Sequence, residues 1–192
     1  RVIARAKDTA TAHAMIAPVE KAIHERLGEY VWGYDDDTPE QAAGKSLMEK
    51  SLSVAVMEMC TGGALANSIT DNPNSISYFK GGNVAYDGAA LRSCGVPGEV
   101  MEKHGVVSQE TANAMAETVR RNLNADVGIA VTGVPGPGEF EGKPLGLAYI
   151  CVSNGEKIRE MEMRLPPRRV TIKRRVPNQA LIELRRLVEE TG

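Results

Sequence analysis

Large aromatic side chains are scarce in this chain, with two phenylalanines and one tryptophan among 192 residues, so a core must be filled by Val, Ile, Leu, Met and Ala. Cysteine is equally sparse. Cys60, Cys94 and Cys151 are odd in number, widely spaced and free of any C-x-x-C pair, which argues against a disulfide framework and against a zinc site. His13, His24 and His104 stand alone as solvated or partly packed residues, so no metal is expected, and nothing calls for a cofactor. A formal charge of −2 gives no electrostatic case for a nucleic-acid partner or an acidic membrane surface. No apolar run is long enough to span a bilayer and no charged-then-apolar leader is seen, so the expected location is cytoplasmic, without membrane contact.

What is present is a 42 % hydrophobic fraction, enough for one ordinary domain, or for one domain and a fragment of another. The chain opens on Arg1, without an initiator methionine, and is expected to be part of a longer multidomain protein. Val2–Ala6 reads as a short strand and Thr9–Leu27 as a helix, with Ala12, Ile16, Val19, Ile23 and Leu27 on one face and Gly28 at its end. Tyr30-Val31-Trp32 reads as another short strand. Residues 1–34 are therefore assigned to the tail of a small α+β domain, and the apolar stripe needs a partner surface.

Asp35-Asp36-Asp37 is a polar break. Thr38-Pro39-Glu40-Gln41 then offers an N-cap, a proline at the first helical position and a capping-box glutamine, so a second domain covers residues 35–192. Its order reads helix (39–50), strand (52–58), helix (62–71), strand (78–86), short helix (97–104), helix (108–123), strands (126–132), (145–153) and (156–164), and helix (169–190). The last two strands are joined by Ser153-Asn154-Gly155. The pattern predicts an α/β fold, a mixed sheet sandwiched by helices.

The segment Met57-Glu58-Met59-Cys60-Thr61-Gly62-Gly63 carries the most information about chemistry. Leu52, Val54 and Val56 alternate into it, and a helical pattern from Ala64 follows the glycine pair. Strand, glycines, helix is how α/β proteins aim backbone N–H groups at an anion or an oxyanion. The segment closely resembles the Glu-Ser-Cys-Thr-Gly-Gly signature of the C-terminal domain of the competence/damage-inducible CinA family. Phe79-Lys80-Gly81-Gly82-Asn83-Val84-Ala85-Tyr86 resembles that family's F-x-G-G-x-V-x-Y, and residues 105–112 its G-A-V-S-x-E-x-A. Thr132-Gly133-Val134-Pro135-Gly136-Pro137 and Lys143-Pro144-Leu145-Gly146 are similar to its T-G-x-A-G-P and K-P-V-G.

This resemblance implies a domain related to nicotinamide mononucleotide (NMN) amidohydrolases, with a serine nucleophile, a lysine base and an active-site tyrosine. The serine position is occupied by Met59, whose thioether has no proton to lose. The tyrosine is retained as Tyr86. The lysine position falls on Leu91, or on Ala90 if the local shortening is placed earlier, and Arg92 stays protonated and is a poor base. Cys60 beside Met59 is read as a buried small residue, because neighbours in an extended segment face opposite ways and the family motif already has this cysteine. Thr61 is read as a helix N-cap.

The binding parts read as better preserved than the chemistry. Glu58, Thr61, Gly62, Gly63, Tyr86, Thr132 and Gly133 are the expected ligand-binding positions, with Lys173 from a basic run that includes Arg164, Arg168, Arg169, Arg174, Arg175, Arg185 and Arg186. Arg169 and Lys173 fall on the two arginine positions of the family's G-D-R-x-x-V-R helix start. The expected ligand is a mononucleotide, and the domain is expected to act as a catalytically degenerate binding or assembly module. The alternative is a working amidohydrolase with an unrecognised nucleophile. Self-association into a homo-oligomer is expected; a third reading places it on the helix bearing Ala112, Met115, Ala116, Val119 and Leu123, a stripe that reads more simply as core.

Overall fold

A computed structural model describes residues 2–191, and the chain divides into two compact units, Arg1–Asp36 and Asp37–Gly192. In the first, α1 (Thr9–Leu27) starts at Asp8, whose side chain accepts from the Thr11 amide at 2.8 Å. No residue of α1 is buried, and Val19 and Leu27 on its apolar stripe are exposed. The strands expected at 2–6 and 30–32 are not formed. A strand needs a neighbour for its hydrogen-bond ladder, and this unit supplies none among the described residues; Gly28–Tyr30 is instead a single 3₁₀ turn.

The second unit begins at α2 (Pro39–Lys50), where the Thr38 hydroxyl accepts from the Gln41 amide and the Gln41 side chain accepts from the Thr38 amide, each at 3.4 Å. The elements that follow are β1 (Val54–Glu58), α3 (Ala64–Thr70), β2 (Phe79–Val84), α4 (Gly88–Ser93), α5 (Gly98–His104), α6 (Gln109–Asn122), β3 (Val127–Gly133), β4 (Leu147–Ser153), β5 (Ile158–Arg164) and α7 (Arg169–Glu190). The sheet has the order β2-β1-β3-β4-β5. β1 runs parallel to β2 and β3, whereas β3, β4 and β5 are antiparallel.

Because successive residues of a strand face opposite ways, each central strand feeds two cores. Val54, Val56, Val127, Ile129, Val131, Ile150 and Val152 pack with Leu47, Leu65 and the α7 residues Ile172, Val176, Leu181, Leu184 and Leu187. Ala55, Met57, Ala130 and Cys151 turn to the other face, against Leu91, Met101, Ala112, Met115, Ala116 and Val119. The small residues on this second face let α6 approach closely: a Cβ on Gly128 would lie 2.1 Å from the Ala116 carbonyl oxygen. The α6 stripe is thus occupied by the chain's own core.

α7 is fastened to the edge strand β5 by a buried carboxylate. Glu183, 2 % exposed, accepts from Arg159 Nε at 2.8 Å, Arg186 Nη1 at 2.8 Å and Gln179 Nε2 at 2.9 Å. That anchor sets where the basic N-terminal turns of α7 lie. The element missing from the sequence reading is α4, which starts where Asp87 accepts from the Ala90 amide at 2.7 Å. An Asx residue followed by Gly88-Ala89-Ala90-Leu91 is an N-cap signal that was available in the sequence. No helix among the described residues is long and apolar enough to cross a membrane.

Candidate functional site

The loops after β1, β2 and β3 lie at the carboxyl ends of three adjacent parallel strands, where open α/β sheets form their crevices. The loop after β1 is shaped by Glu58. Its fully buried carboxylate accepts from Thr61 Oγ1 at 2.6 Å and from the amides of Gly63 at 3.0 Å, Leu65 at 3.0 Å and Ala66 at 2.7 Å. Reaching these donors requires the chain to double back through Gly62 (φ +62°) and Gly63 (φ +94°), a left-handed pair that glycine adopts without strain.

This arrangement corrects two expectations. Thr61 is not the N-cap of α3, since Gly63 holds that position and the Thr61 hydroxyl donates to Glu58. The helix-start amides at 63, 65 and 66 are not open to a phosphate either. They already hold an anion, the protein's own carboxylate.

Met59 is 7 % exposed and belongs to the same buried apolar cluster as Leu91, which is fully enclosed. The Thr132 hydroxyl lies 3.1 Å from Met59 Sδ and 2.9 Å from the Val106 carbonyl oxygen. It has one proton, and the carbonyl is the stronger acceptor. Cys60 is 1 % exposed, and burial pushes its thiol up to about 12. Arg92 turns to Glu102, with an N–O distance of 2.9 Å, and takes no part in the crevice.

Met59, Cys60, Tyr86 and Gly133 meet the 134–140 segment around a cleft of about 190 Å³. Arg169, in the first turn of α7, closes one side: Nη2 donates to the Tyr86 hydroxyl at 2.6 Å and Nη1 to the Gly136 carbonyl at 2.9 Å. One turn on, Lys173 Nζ approaches the 61–63 loop, 3.6 Å from where a Gly62 Cβ would sit, while Tyr86 Cε2 stands 3.9 Å from the same point. The sequence-derived residues are therefore brought together, with one division. Met59, Tyr86 and Gly133 line the cleft; Glu58 and Thr132 are fully buried and support it. Thr61, Gly62, Gly63 and Lys173 line an adjoining groove. Gly133 has a packing reason of its own, since a Cβ there would lie 2.7 Å from the Leu147 carbonyl oxygen.

One residue escaped the sequence reading. The outer wall of the cleft continues into a tight turn at Phe140–Lys143, where the Glu141 carboxylate accepts from the amides of Val106 at 3.0 Å and Val107 at 3.1 Å. Lys143 Nζ donates to the His104 carbonyl at 3.1 Å and to that of Val107. These two side chains pin the wall to the α5–α6 connection. Only the Lys143-Pro144 motif hints at it in the sequence.

An α/β sandwich with a crevice of this kind defines a class of fold, and comparison with known proteins defines the family. Residues 36–188 match the CinA C-terminal domain, and residues 1–33 match the KH domain of damage-inducible protein CinA. The chain belongs to the CinA family. It is 40 % identical over 183 residues to a protein of Desulforudis audaxviator named for competence-damage induction, covering 94 % of this chain and 44 % of that protein. A like-named protein of Moorella thermoacetica is 46 % identical over 154 residues, with 79 % and 37 % coverage. The chain thus spans less than half the length of these relatives. Among solved structures, the competence/damage inducible protein of Agrobacterium tumefaciens aligns with TM-score 0.72 and 29 % identity over 82 % of this chain and 99 % of that one. A CinA superfamily protein of Klebsiella pneumoniae shares the fold, with TM-score 0.76 and 22 % identity over 79 % of this chain and 96 % of that one.

Proposed function

We propose that residues 35–192 form a mononucleotide-binding domain that has lost the amidohydrolase chemistry of its family. The observation that carries this reading is the joint burial of Met59, at the family's serine position, and Leu91, at its lysine position, in one apolar cluster, against which Ala90, the other candidate for the lysine position, also packs. Hydrolysis of an amide by a side-chain nucleophile needs an ionisable group, a base to take its proton and donors for the oxyanion. Met59 and Leu91 supply neither of the first two. The neighbouring groups are committed elsewhere: the Thr61 hydroxyl to Glu58, the Thr132 hydroxyl to the Val106 carbonyl, and the Cys60 thiol held protonated by burial.

What supports retained binding is the pairing of a cleft with a cation in the groove beside it. A flat ring would enter between Tyr86 and the 133–140 segment, and Lys173, beside Gly62, would neutralise the phosphate. Arg169 braces Tyr86 and the cleft wall. The experiment is calorimetry of the chain with NMN, paired with an assay for nicotinic acid mononucleotide. The reading predicts saturable binding that weakens about tenfold or more in Lys173→Ala, since a charge-assisted contact contributes about 1.5–3 kcal/mol. No binding at millimolar NMN would leave the domain as an assembly module, and product formation would restore it as an enzyme.

A further inference from the structure

We propose that the groove between α3 and α7 is a second anion site, and that the ligand it serves is a nucleotide carrying two linked phosphates, one held at Lys173 and the other at Arg174. The inference rests on the mononucleotide reading of the neighbouring cleft and goes beyond it by naming the larger ligand class. The groove is about 480 Å³ in volume and is lined by Thr61–Ala64, Asn67 and Ser68 on one side and Lys173, Arg174, Pro177 and Asn178 on the other. The cleft alone, at about 190 Å³, falls below the ~300–1,000 Å³ usual for small-molecule sites.

The charge distribution marks the start of α7, and of its cations Lys173 and Arg174 face this groove. Five of the eight residues from 168 to 175 are basic, and α7 contains no acid before Glu183. Further along the same helix the cations are neutralised, Arg185 by Glu189 at 2.5 Å and Arg186 by Glu183 at 2.8 Å. Among the described residues, Lys173 and Arg174 have no carboxylate within ion-pair distance. Cations in the first turns of a helix also oppose its dipole, and α7 has no acid in its first turn and no side-chain cap to offset them. Such a concentration of positive charge against a polar groove is relieved by a bound anion. The helix-start amides of α3 do not supply the attraction, because Glu58 holds them; the lysine and arginine side chains must.

Cleft and groove are close enough for one ligand to occupy both. Cys60 lines the first and its neighbours Thr61 and Gly62 the second, and Tyr86 of the cleft and Lys173 of the groove both approach the point where a Gly62 Cβ would sit. With no side chain at 62, only Tyr86 and Lys173 border the point where cleft and groove adjoin. A pyridine ring in the cleft would place its own phosphate at Lys173 and a second, pyrophosphate-linked one at Arg174, with Asn178 beside it as a neutral donor.

The test is calorimetry of the whole chain with NMN, with nicotinamide adenine dinucleotide and with inorganic pyrophosphate, repeated in Arg174→Ala and in Arg175→Ala, which removes an equal charge from the same helix outside the groove. The proposal predicts that the dinucleotide binds at least about tenfold more tightly than NMN. It also predicts that Arg174→Ala removes that advantage without altering NMN affinity, while Arg175→Ala changes either ligand by less than about twofold. A dinucleotide no tighter than NMN, or equal losses in the two arginine variants, overturns the second site and leaves the mononucleotide reading standing. Pyrophosphate or dinucleotide binding that depends on Arg174 in a protein that ignores NMN upholds the groove and overturns the cleft. Absence of binding by all three ligands overturns both.

Discussion

Replacing Glu58 by alanine removes one acceptor and strands four donors, so its effect should be far larger than that of an ordinary helix cap. Two of the donors, Thr61 Oγ1 and the Leu65 amide, are buried, and the other two, the Gly63 and Ala66 amides, are half-buried. A buried donor left unsatisfied costs about 1–3 kcal/mol, whereas a half-buried one can find water and forfeits about 0.5–1.5 kcal/mol. Against this stands the relief of burying a carboxylate with no cation beside it, which returns part of the loss. The net destabilisation should be about 2–4 kcal/mol, compared with about 1 kcal/mol for losing a surface N-cap, and it is a large share of the ~5–15 kcal/mol that holds a typical domain together. Urea unfolding should show the midpoint falling with an unchanged slope. Glu58→Gln, which keeps one acceptor oxygen but turns an NH₂ toward the donors, should recover less than half of the loss. If Glu58→Ala lowered stability by less than about 1 kcal/mol, the carboxylate would not be organising the loop as described.

Three further outcomes follow from the same geometry. Met59→Ser and Leu91→Lys, made singly and together, should show the double variant exceeding both singles on NMN, because base assistance contributes about 10²–10⁴-fold and a lysine enclosed at position 91 has its pKa lowered toward the useful range; Met59→Ser alone reaching ordinary turnover would remove Leu91 from the account. Native protein should take up a thiol reagent at half-buried Cys94 and spare Cys60 and Cys151, whose thiols burial pushes up to about 12, with all three reacting only in denaturant; peptide mapping reads this directly, and rapid native labelling of Cys60 would reopen it as a nucleophile. Asp126 is held below the usual carboxylate range by the Ser53 hydroxyl at 2.6 Å and the Ser53 amide at 2.7 Å, so the stability it adds is present above pH ~4 and lost as pH falls through the lowered value. Asp126→Asn should therefore cost about 1 kcal/mol at pH 7 and almost nothing once the pH has fallen below the lowered value, and a gap that widened in acid would refute the assignment.

The frame of the second unit was legible because its signals are local. The capping box at Thr38–Gln41 and the alternation of Val54 and Val56 with Ala55 and Met57 each lie within a few residues, and they suffice to place α2 and β1. The strands expected in the first unit failed for the opposite reason. Val2–Ala6 and Tyr30–Trp32 have strand-like composition, but pairing is a property of two segments and cannot be read from one. At the site, residue identity was enough to mark Met59 and Leu91 as chemically wrong for hydrolysis, since no environment gives a thioether or an isobutyl group a proton to transfer. Glu58 was visible only as a lone carboxylate. Its capping role depends on the left-handed turn at Gly62-Gly63 folding α3 back over the end of β1. Glu141 lay further out of reach, because its partners Val106 and Val107 are more than thirty positions away along the chain.

Whether the domain keeps its fold and cleft without hydrolytic groups is decided by following NMN with purified protein and quantifying nicotinic acid mononucleotide and ammonia over time. No product should form above the background of a protein-free control, and Met59→Ala and Cys60→Ala should give the same result. Product formed by the unaltered chain, persisting in Met59→Ala and abolished in Cys60→Ala, would contradict it and identify Cys60 as the nucleophile.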